Sequence, residues 1–204
     1  MTQPQTLLQL TGRTYAPASL GTATVLIIDA QEEYRSGTLA LPHVEPAVAQ
    51  IARLLEAARA QGAPVIHVRH LGIPGGLFDP QGARGDFLAE ARPQDGEAII
   101  EKRLPNAFAG TDLHERLQAL GRLDVVVGGF MTHSSVSSTV RAMKDYGYRC
   151  TLIEGACATR DLPGPDNQTL SAEQAHRLEI AVLADNFAIV VPDATALTGQ
   201  PVQS

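Results

Sequence analysis

Tryptophan is absent from this 204-residue chain, methionine occurs three times, cysteine twice, and aromatic residues make up only 4% of it. The two cysteines, Cys150 and Cys157, do not have the spacing of a CxxC pair. They are too few for a disulfide framework or a zinc site, which leaves reduced core thiols as the expectation. No lysine- or arginine-rich run stands out, and the formal net charge is −6, so the footprint of a nucleic-acid partner is missing. No apolar stretch is long enough to span a bilayer. The opening MTQPQTLLQL lacks the charged start and apolar block of a secretory signal. A cytoplasmic protein with neither a membrane nor a nucleic-acid partner is therefore expected. Repeats and low-complexity tracts are missing as well.

What is present has the length of one domain, residues 1–204, led in by an extended polar segment over 1–22. TATVLIID (22–29) is a continuous β-branched run, the mark of a strand buried on both faces. Val44, Val48, Ile51, Leu55 and Ala58 recur at helical spacing up to Gly62. APVIHVRH (63–70) gives a second strand, and a Gly/Pro-rich loop follows over 71–85. A short third strand is predicted over Glu97–Ile100, then a helix capped by Thr111 and stopped at Gly121. LDVVVGG (123–129) is the fourth strand, with a helix expected from about Ser135 to Tyr146. Tyr148–Glu154 is the fifth strand. Ser171 and Gln174 make a capping box for a helix to about Ala184, and Phe187–Val191 is the last strand. Strands alternating with helices predict an α/β fold, a three-layer αβα doubly wound domain on a parallel sheet. Ligands of such sheets bind beyond the carboxyl ends of the strands.

Asp29 ends the first strand after two isoleucines, where partial desolvation raises a carboxyl toward acid/base range. A strand terminus or helix cap is the plainer role for it. Lys102 follows the third strand, placed to hold such a carboxylate or to stabilise developing negative charge, or simply to stand in a solvated loop. The fourth strand runs into GGFMTHSSVSSTV, small residues and hydroxyls ahead of a helix. That pattern presents backbone N–H groups to an oxyanion, although Ser134 and Ser135 serve equally as N-caps. His70 ends the second strand and His133 precedes the serines; each is a substrate contact, a base or a packing residue. No close acidic and histidine cluster follows Asp29, so neither a metal nor another cofactor is expected.

Taken together, three segments are far more specific than any one. VLIIDAQEEY, with Asp29 and Gln31, resembles the first-strand motif of the isochorismatase-like hydrolases. EKRLPNAFAGTDL resembles their lysine motif through Lys102, Asn106, Ala107, Phe108, Thr111 and Leu113. VVVGGFMTHSSVSSTVRAMKDYGY resembles their nucleophile motif through Gly128, Thr132, Ser135, Val136, Thr139, Gly147 and Tyr148. The order and spacing hold from about Thr22 to Pro192. The resemblance implies a six-stranded parallel sheet of order 3-2-1-4-5-6 and a Cys–Asp–Lys triad. On it, Asp29 is the general base and acid, Lys102 its partner, and Met131 and Ser135 supply oxyanion N–H groups, with a cis peptide between Phe130 and Met131. It also implies a homo-oligomer, dimer or tetramer.

The departure is Ser135, which stands where the family's cysteine hydrolases carry the nucleophile. A thiol is partly ionised near neutrality, whereas a hydroxyl needs strong base assistance. Ser135 is an engineered replacement, a natural residue as in isochorismatases that cleave a vinyl ether by acid catalysis, or a poor but real nucleophile. The absence of tryptophan, with Glu101 and Arg103 flanking the lysine, favours the branch that hydrolyses amides or related C–N bonds. A vinyl ether hydrolase and a catalytically dead binding or scaffold protein remain the alternatives. The substrate is a small molecule. Its candidate contacts are Gln31, His70, Phe108, Thr132, His133 and two arginines suited to a carboxylate, Arg84 and Arg160, on loops 71–93 and 158–170.

Overall fold

The computed structural model describes residues 3–165 and 167–198. Asp166, within the segment expected to line the pocket, and the two ends of the predicted 1–204 domain lie outside the described residues. The strands are β1 (Thr24–Ile28), β2 (Val65–His70), β3 (Ala98–Lys102), β4 (Asp124–Phe130), β5 (Arg149–Ala158), β6 (Leu162–Pro163), β7 (Thr169–Leu170) and β8 (Ala188–Val191). The helices are α1 (Leu7–Leu10), α2 (Glu33–Ser36), α3 (Val44–Ala60), α4 (Leu113–Leu120), α5 (Ser137–Asp145), α6 (Ala172–Asn186) and α7 (Thr195–Thr198). Six strands pair in parallel in the order β3-β2-β1-β4-β5-β8. This is the expected 3-2-1-4-5-6 order, because an antiparallel ribbon of β6 and β7 precedes the last sheet strand.

Alternation along the strands feeds two cores. Val25 and Ile27 of β1 point to the face covered by α3 and α7, while Leu26 and Ile28 point to the face covered by α4, α5 and α6. Helix α3 buries the predicted stripe of Val44, Val48, Ile51, Leu55 and Ala58. Ser171 and Gln174 form the expected reciprocal capping box of α6. Among the described residues no helix is long and apolar enough to cross a membrane.

Several boundaries differ from expectation, each for a local reason. The lead-in is not simply extended: Thr6 and Gln9 cap the one-turn helix α1, which buries Leu8 and ties its Leu7 N–H to Asp185 on α6. β3 starts at Ala98 and runs on to Lys102, since its ladder with β2 continues to the His70–Lys102 pair. Thr111 does not cap α4. The N-cap is Asp112, and the Thr111 hydroxyl instead donates to the Ala107 carbonyl and accepts from the Leu113 N–H. β5 continues to Ala158 past an irregularity, because pairing passes from Val127–Leu152 directly to Gly129–Cys157. Both cysteines are free and buried, and burial pushes the Cys150 thiol far up and the Cys157 thiol to about 12.

Glu97, just ahead of β3, joins three elements. Its carboxylate accepts two bonds from Arg59 of α3 (2.8 and 2.9 Å), one from the Gln94 N–H (2.8 Å) and one from His67 Nε2 of β2 (2.8 Å). Burial acts to raise this carboxyl, but Arg59, the Gln94 N–H and His67 outweigh it and hold it at about 2. Burial lowers the His67 imidazole, which favours the neutral ring with Nε2–H as donor, and its buried Nδ1 has no partner among the described residues. A carboxyl held at about 2 rather than 4.5 corresponds to about 3 kcal/mol. Because the folded value is depressed, that stability is present above 4.5 and is lost as pH falls toward 2. Glu97→Gln should therefore lose most of it at neutral pH and show a flatter acid limb. Urea unfolding of both proteins from about pH 6 to about pH 2 checks this, and parallel curves would reject it.

Candidate active site

Asp29 is the first residue beyond β1, and its φ of +50° lies in the left-handed region, which a short polar residue tolerates better than most. The next strand allows that bend only through a glycine. A Cβ on Gly129 would meet the Ile28 carbonyl oxygen at 2.0 Å, and its φ is +133°. Lys102 closes β3, two strands away, and reaches past the end of β2. After β4 comes the cis peptide between Phe130 and Met131, then a π-helical turn over Thr132–Val136 that leads into α5. Ser135 lies inside that turn. The N-cap position is Met131 and makes no side-chain cap, so neither Ser134 nor Ser135 has the capping role that the sequence allows.

Asp29, Lys102 and Ser135 come together at this edge. Lys102 Nζ donates to Asp29 Oδ2 at 2.6 Å and to Ser135 Oγ at 3.1 Å, and lies 3.4 Å from His70 Nδ1. All three triad positions are buried, Asp29 completely. Burial raises the Asp29 carboxyl above its ordinary value of 3.8, and Lys102, through its charge and hydrogen bond, and then the Ser135 hydroxyl oppose that rise. The second oxygen, Oδ1, is buried with no hydrogen-bond partner among the described residues. A buried carboxyl raised in this way and set beside a hydroxyl has the properties that proton transfer asks for.

The expected substrate contacts divide. Gln31 commits its amide to the backbone: Nε2 donates to the His70 carbonyl (3.0 Å) and the Gly85 carbonyl (2.9 Å), and Oε1 accepts from the His70 N–H (2.8 Å). It is a clamp on β2 and the 71–85 loop. His70 stays at the centre, its ring 5.0 Å from that of Phe78. Burial, then the charges of Lys102 and Arg103, lower its imidazole to about 4. Thr132 hydrogen-bonds His176 Nδ1 at 2.9 Å, and His133 hydrogen-bonds the Thr159 hydroxyl. Both pairs flank a cavity of about 170 Å³ lined by Pro42, His43, Cys157, Thr159 and His176 among others, but not by the triad. Phe108 is a core residue instead, stacked on Tyr146 at 4.7 Å within the α4–α5 cluster. Arg84 is engaged by Glu33 at 3.9 Å and the Gly76 carbonyl. Arg160 donates to the Asp161 carbonyl, while its buried Nε has no partner among the described residues.

Glu33 escaped the sequence reading, since in QEEY it reads as a solvated first-turn acid. It is fully buried and accepts the N–H groups of Leu39 and Phe78, both at 3.2 Å, which fastens two loops over the site. His176 and Thr159 were missed as well, since nothing in their spacing points to Thr132 or His133. Among the described residues no group of three or more His, Cys, Asp or Glu could hold a metal ion.

Comparison with known proteins follows the same outline. Residues 23–195 match the isochorismatase domain model. A secreted isochorismatase effector of Verticillium dahliae is 36% identical over 175 residues, 85% of this chain and 90% of its own length. A streptothricin hydrolase of Streptomyces noursei is 31% identical over 85% of this chain and 63% of its own. The crystal structure of an isochorismatase from Pseudomonas putida superposes with a TM-score of 0.93 at 59% identity, covering 96% of this chain and all of that one.

Breaking a buried ion pair leaves an uncompensated charge. Lys102→Met should cost about 3–5 kcal/mol at neutral pH, and Asp29→Asn in the same chain should restore most of it. Without the ammonium, the carboxyl loses the partner that opposes its burial, so its folded value rises further above the unfolded one. The Lys102→Met protein is then most stable below the unfolded value and loses stability as pH rises through the folded one. Denaturant midpoints for the single and double variants at about pH 5 and about pH 8 test both statements. Equal losses in the two variants would contradict them.

Proposed function

The chain belongs to the isochorismatase family of hydrolases, and from that premise we propose that it cleaves an amide or related C–N bond of a small molecule with Asp29 as the proton carrier. The observation that supports this most is the Asp29 carboxyl, raised by burial, held through Oδ2 by Lys102 and set beside the Ser135 hydroxyl. The similarity to a streptothricin hydrolase agrees with C–N chemistry. In this reading the Asp29 carboxylate takes the Ser135 hydroxyl proton as Oγ bonds to the substrate carbonyl carbon. The N–H groups of Met131, just ahead of the π-helical turn, and of Ser135, inside it, serve the oxyanion. Asp29 passes the proton to the leaving nitrogen as the C–N bond breaks, and water then hydrolyses the serine ester by the same proton transfers. Lys102 keeps Asp29 in place and ionised. The working form, by resemblance, is a homo-oligomer.

A second reading is favoured by one contact. The Lys102 ammonium donates to Ser135 Oγ at 3.1 Å and so occupies a lone pair that an attack would use. Without a nucleophile, a protonated Asp29 would deliver its proton to the carbon of a vinyl ether, and water would complete the cleavage.

The two readings predict opposite pH dependence. A base must be ionised, so kcat/KM on an amide should rise with pH through the elevated Asp29 value. An acid must be protonated, so kcat/KM on a vinyl ether such as isochorismate should fall through it. Ser135→Cys should raise amide hydrolysis at least about tenfold, because a thiol carries a few per cent thiolate near neutrality. Ser135→Ala should matter little to the vinyl ether. Asp29→Ala should abolish either activity, and a variant that keeps full turnover on the protein's substrates would remove Asp29 from the mechanism. Assays of the three variants on a panel of small amides and isochorismate decide between the readings.

A further inference from the structure

We infer that His70 is a substrate-contacting donor: a neutral imidazole, anchored through Nδ1 to the Lys102 ammonium, that presents Nε2–H to a carbonyl or carboxylate oxygen beside the reacting atom. The inference rests on the hydrolase reading above and adds to it the residue that meets the substrate's acceptor oxygen. An ammonium has three protons and no lone pair. Two protons go to Asp29 Oδ2 and Ser135 Oγ, at 2.6 and 3.1 Å, and the third has His70 Nδ1 at 3.4 Å. Nδ1 must then be the acceptor, and a neutral imidazole with its lone pair on Nδ1 carries its proton on Nε2.

The ring is held in this state from several sides. Gln31 grips both the N–H and the carbonyl of His70, and the Phe78 ring packs against the imidazole. The charged groups facing it, Lys102 and Arg103, both oppose its protonation. Nε2 itself has no hydrogen-bond partner among the described residues, and His70 is only half-buried, which leaves that nitrogen available to a ligand at the carboxyl edge. A lone pair already committed to Lys102 removes His70 as the base for Ser135. What remains is a pre-positioned neutral donor, which polarises an acceptor oxygen without adding charge. The substrate class follows: a small molecule with an acceptor oxygen adjacent to the scissile bond, which an amide and a carboxylated enol ether both supply.

The test joins a magnetic resonance measurement to kinetics. In protein labelled with ¹⁵N at histidine, two-bond ¹H–¹⁵N correlations should show His70 protonated on Nε2 and bare on Nδ1 from about pH 8 to about pH 5, with further protonation only near about 4. Acetamide and acetate, used as probes, should each shift the Nε2 resonance of the intact protein. His70→Ala should lower kcat/KM about 100-fold on whichever substrate Asp29→Ala abolishes. His70→Gln, which keeps a donor, should recover part of that loss, and neither variant should remove the pH limb assigned to Asp29. An Nδ1–H tautomer, an Nε2 resonance unmoved by both probes, or unchanged kcat/KM in His70→Ala would each overturn the inference. The resonance measurements need no turnover. A failure of the hydrolase reading alone would leave the tautomer and the probe response in place.

Discussion

A carboxylate and an ammonium, both nearly removed from solvent and 2.6 Å apart, set the terms for the whole carboxyl edge of the sheet. Taking each ion out of water costs several kcal/mol, and their attraction offsets that only when the remaining protons and lone pairs are also satisfied. The ammonium meets this condition, with Ser135 Oγ and His70 Nδ1 beside its other protons. The carboxylate meets it less fully, since Oδ1 is buried with no hydrogen-bond partner found among the described residues. The imbalance falls on one atom and so keeps the carboxyl easy to protonate, which is the property a proton carrier needs.

The pair spans strands that are not neighbours. β2 lies between β1 and β3, so Lys102 can reach Asp29 only if the end of β2 stays in place. Gln31 does this through the His70 backbone, and Glu33, two residues on, fixes Leu39 and Phe78. Positions 29, 31 and 33 thus place, in turn, the carboxyl, the strand beside it and the loops above it. The Asp-x-Gln motif is in this sense architectural at its second position. With both amide protons committed to backbone and the side chain fully buried, Gln31 is not placed to meet a ligand.

Much of this was legible in the sequence. Buried β-branched runs alternating with helical stripes gave the layers, because period and length leave few other arrangements. The strand order and the grouping of Asp29, Lys102 and Ser135 came from the family resemblance, not from periodicity. What was not legible depends on contacts between distant segments. Phe108 sits in a motif next to the lysine, yet Tyr146 and Tyr148 draw it into the core, and no local pattern reports that pull. Ser135 reads as a cap because hydroxyls ahead of a helix usually cap it. Here the cis peptide is followed by a π-helical turn that sets Ser135 facing Lys102 instead. Glu33 reads as a solvated acid because its two N–H donors are 6 and 45 residues away.

The position of Ser135 shows how much chemistry a fixed frame leaves to one atom. An ammonium 3.1 Å from the side-chain oxygen stabilises negative charge there. For a thiol at the same position, that field would lower a pKa already near neutrality and hold a thiolate ready to attack. For a hydroxyl it acts on a group that is almost entirely un-ionised near neutrality, so the proton still has to be taken during the attack, by a carboxylate of modest basicity. Burial narrows that gap by raising Asp29, and Lys102 widens it again by opposing the rise. The same ion pair therefore assists a thiolate and restrains a serine, and because Lys102 opposes protonation of Asp29 it also restrains an acid role for that carboxyl. What stands at position 135 therefore decides whether the Lys102 charge helps or hinders the side chain beside it.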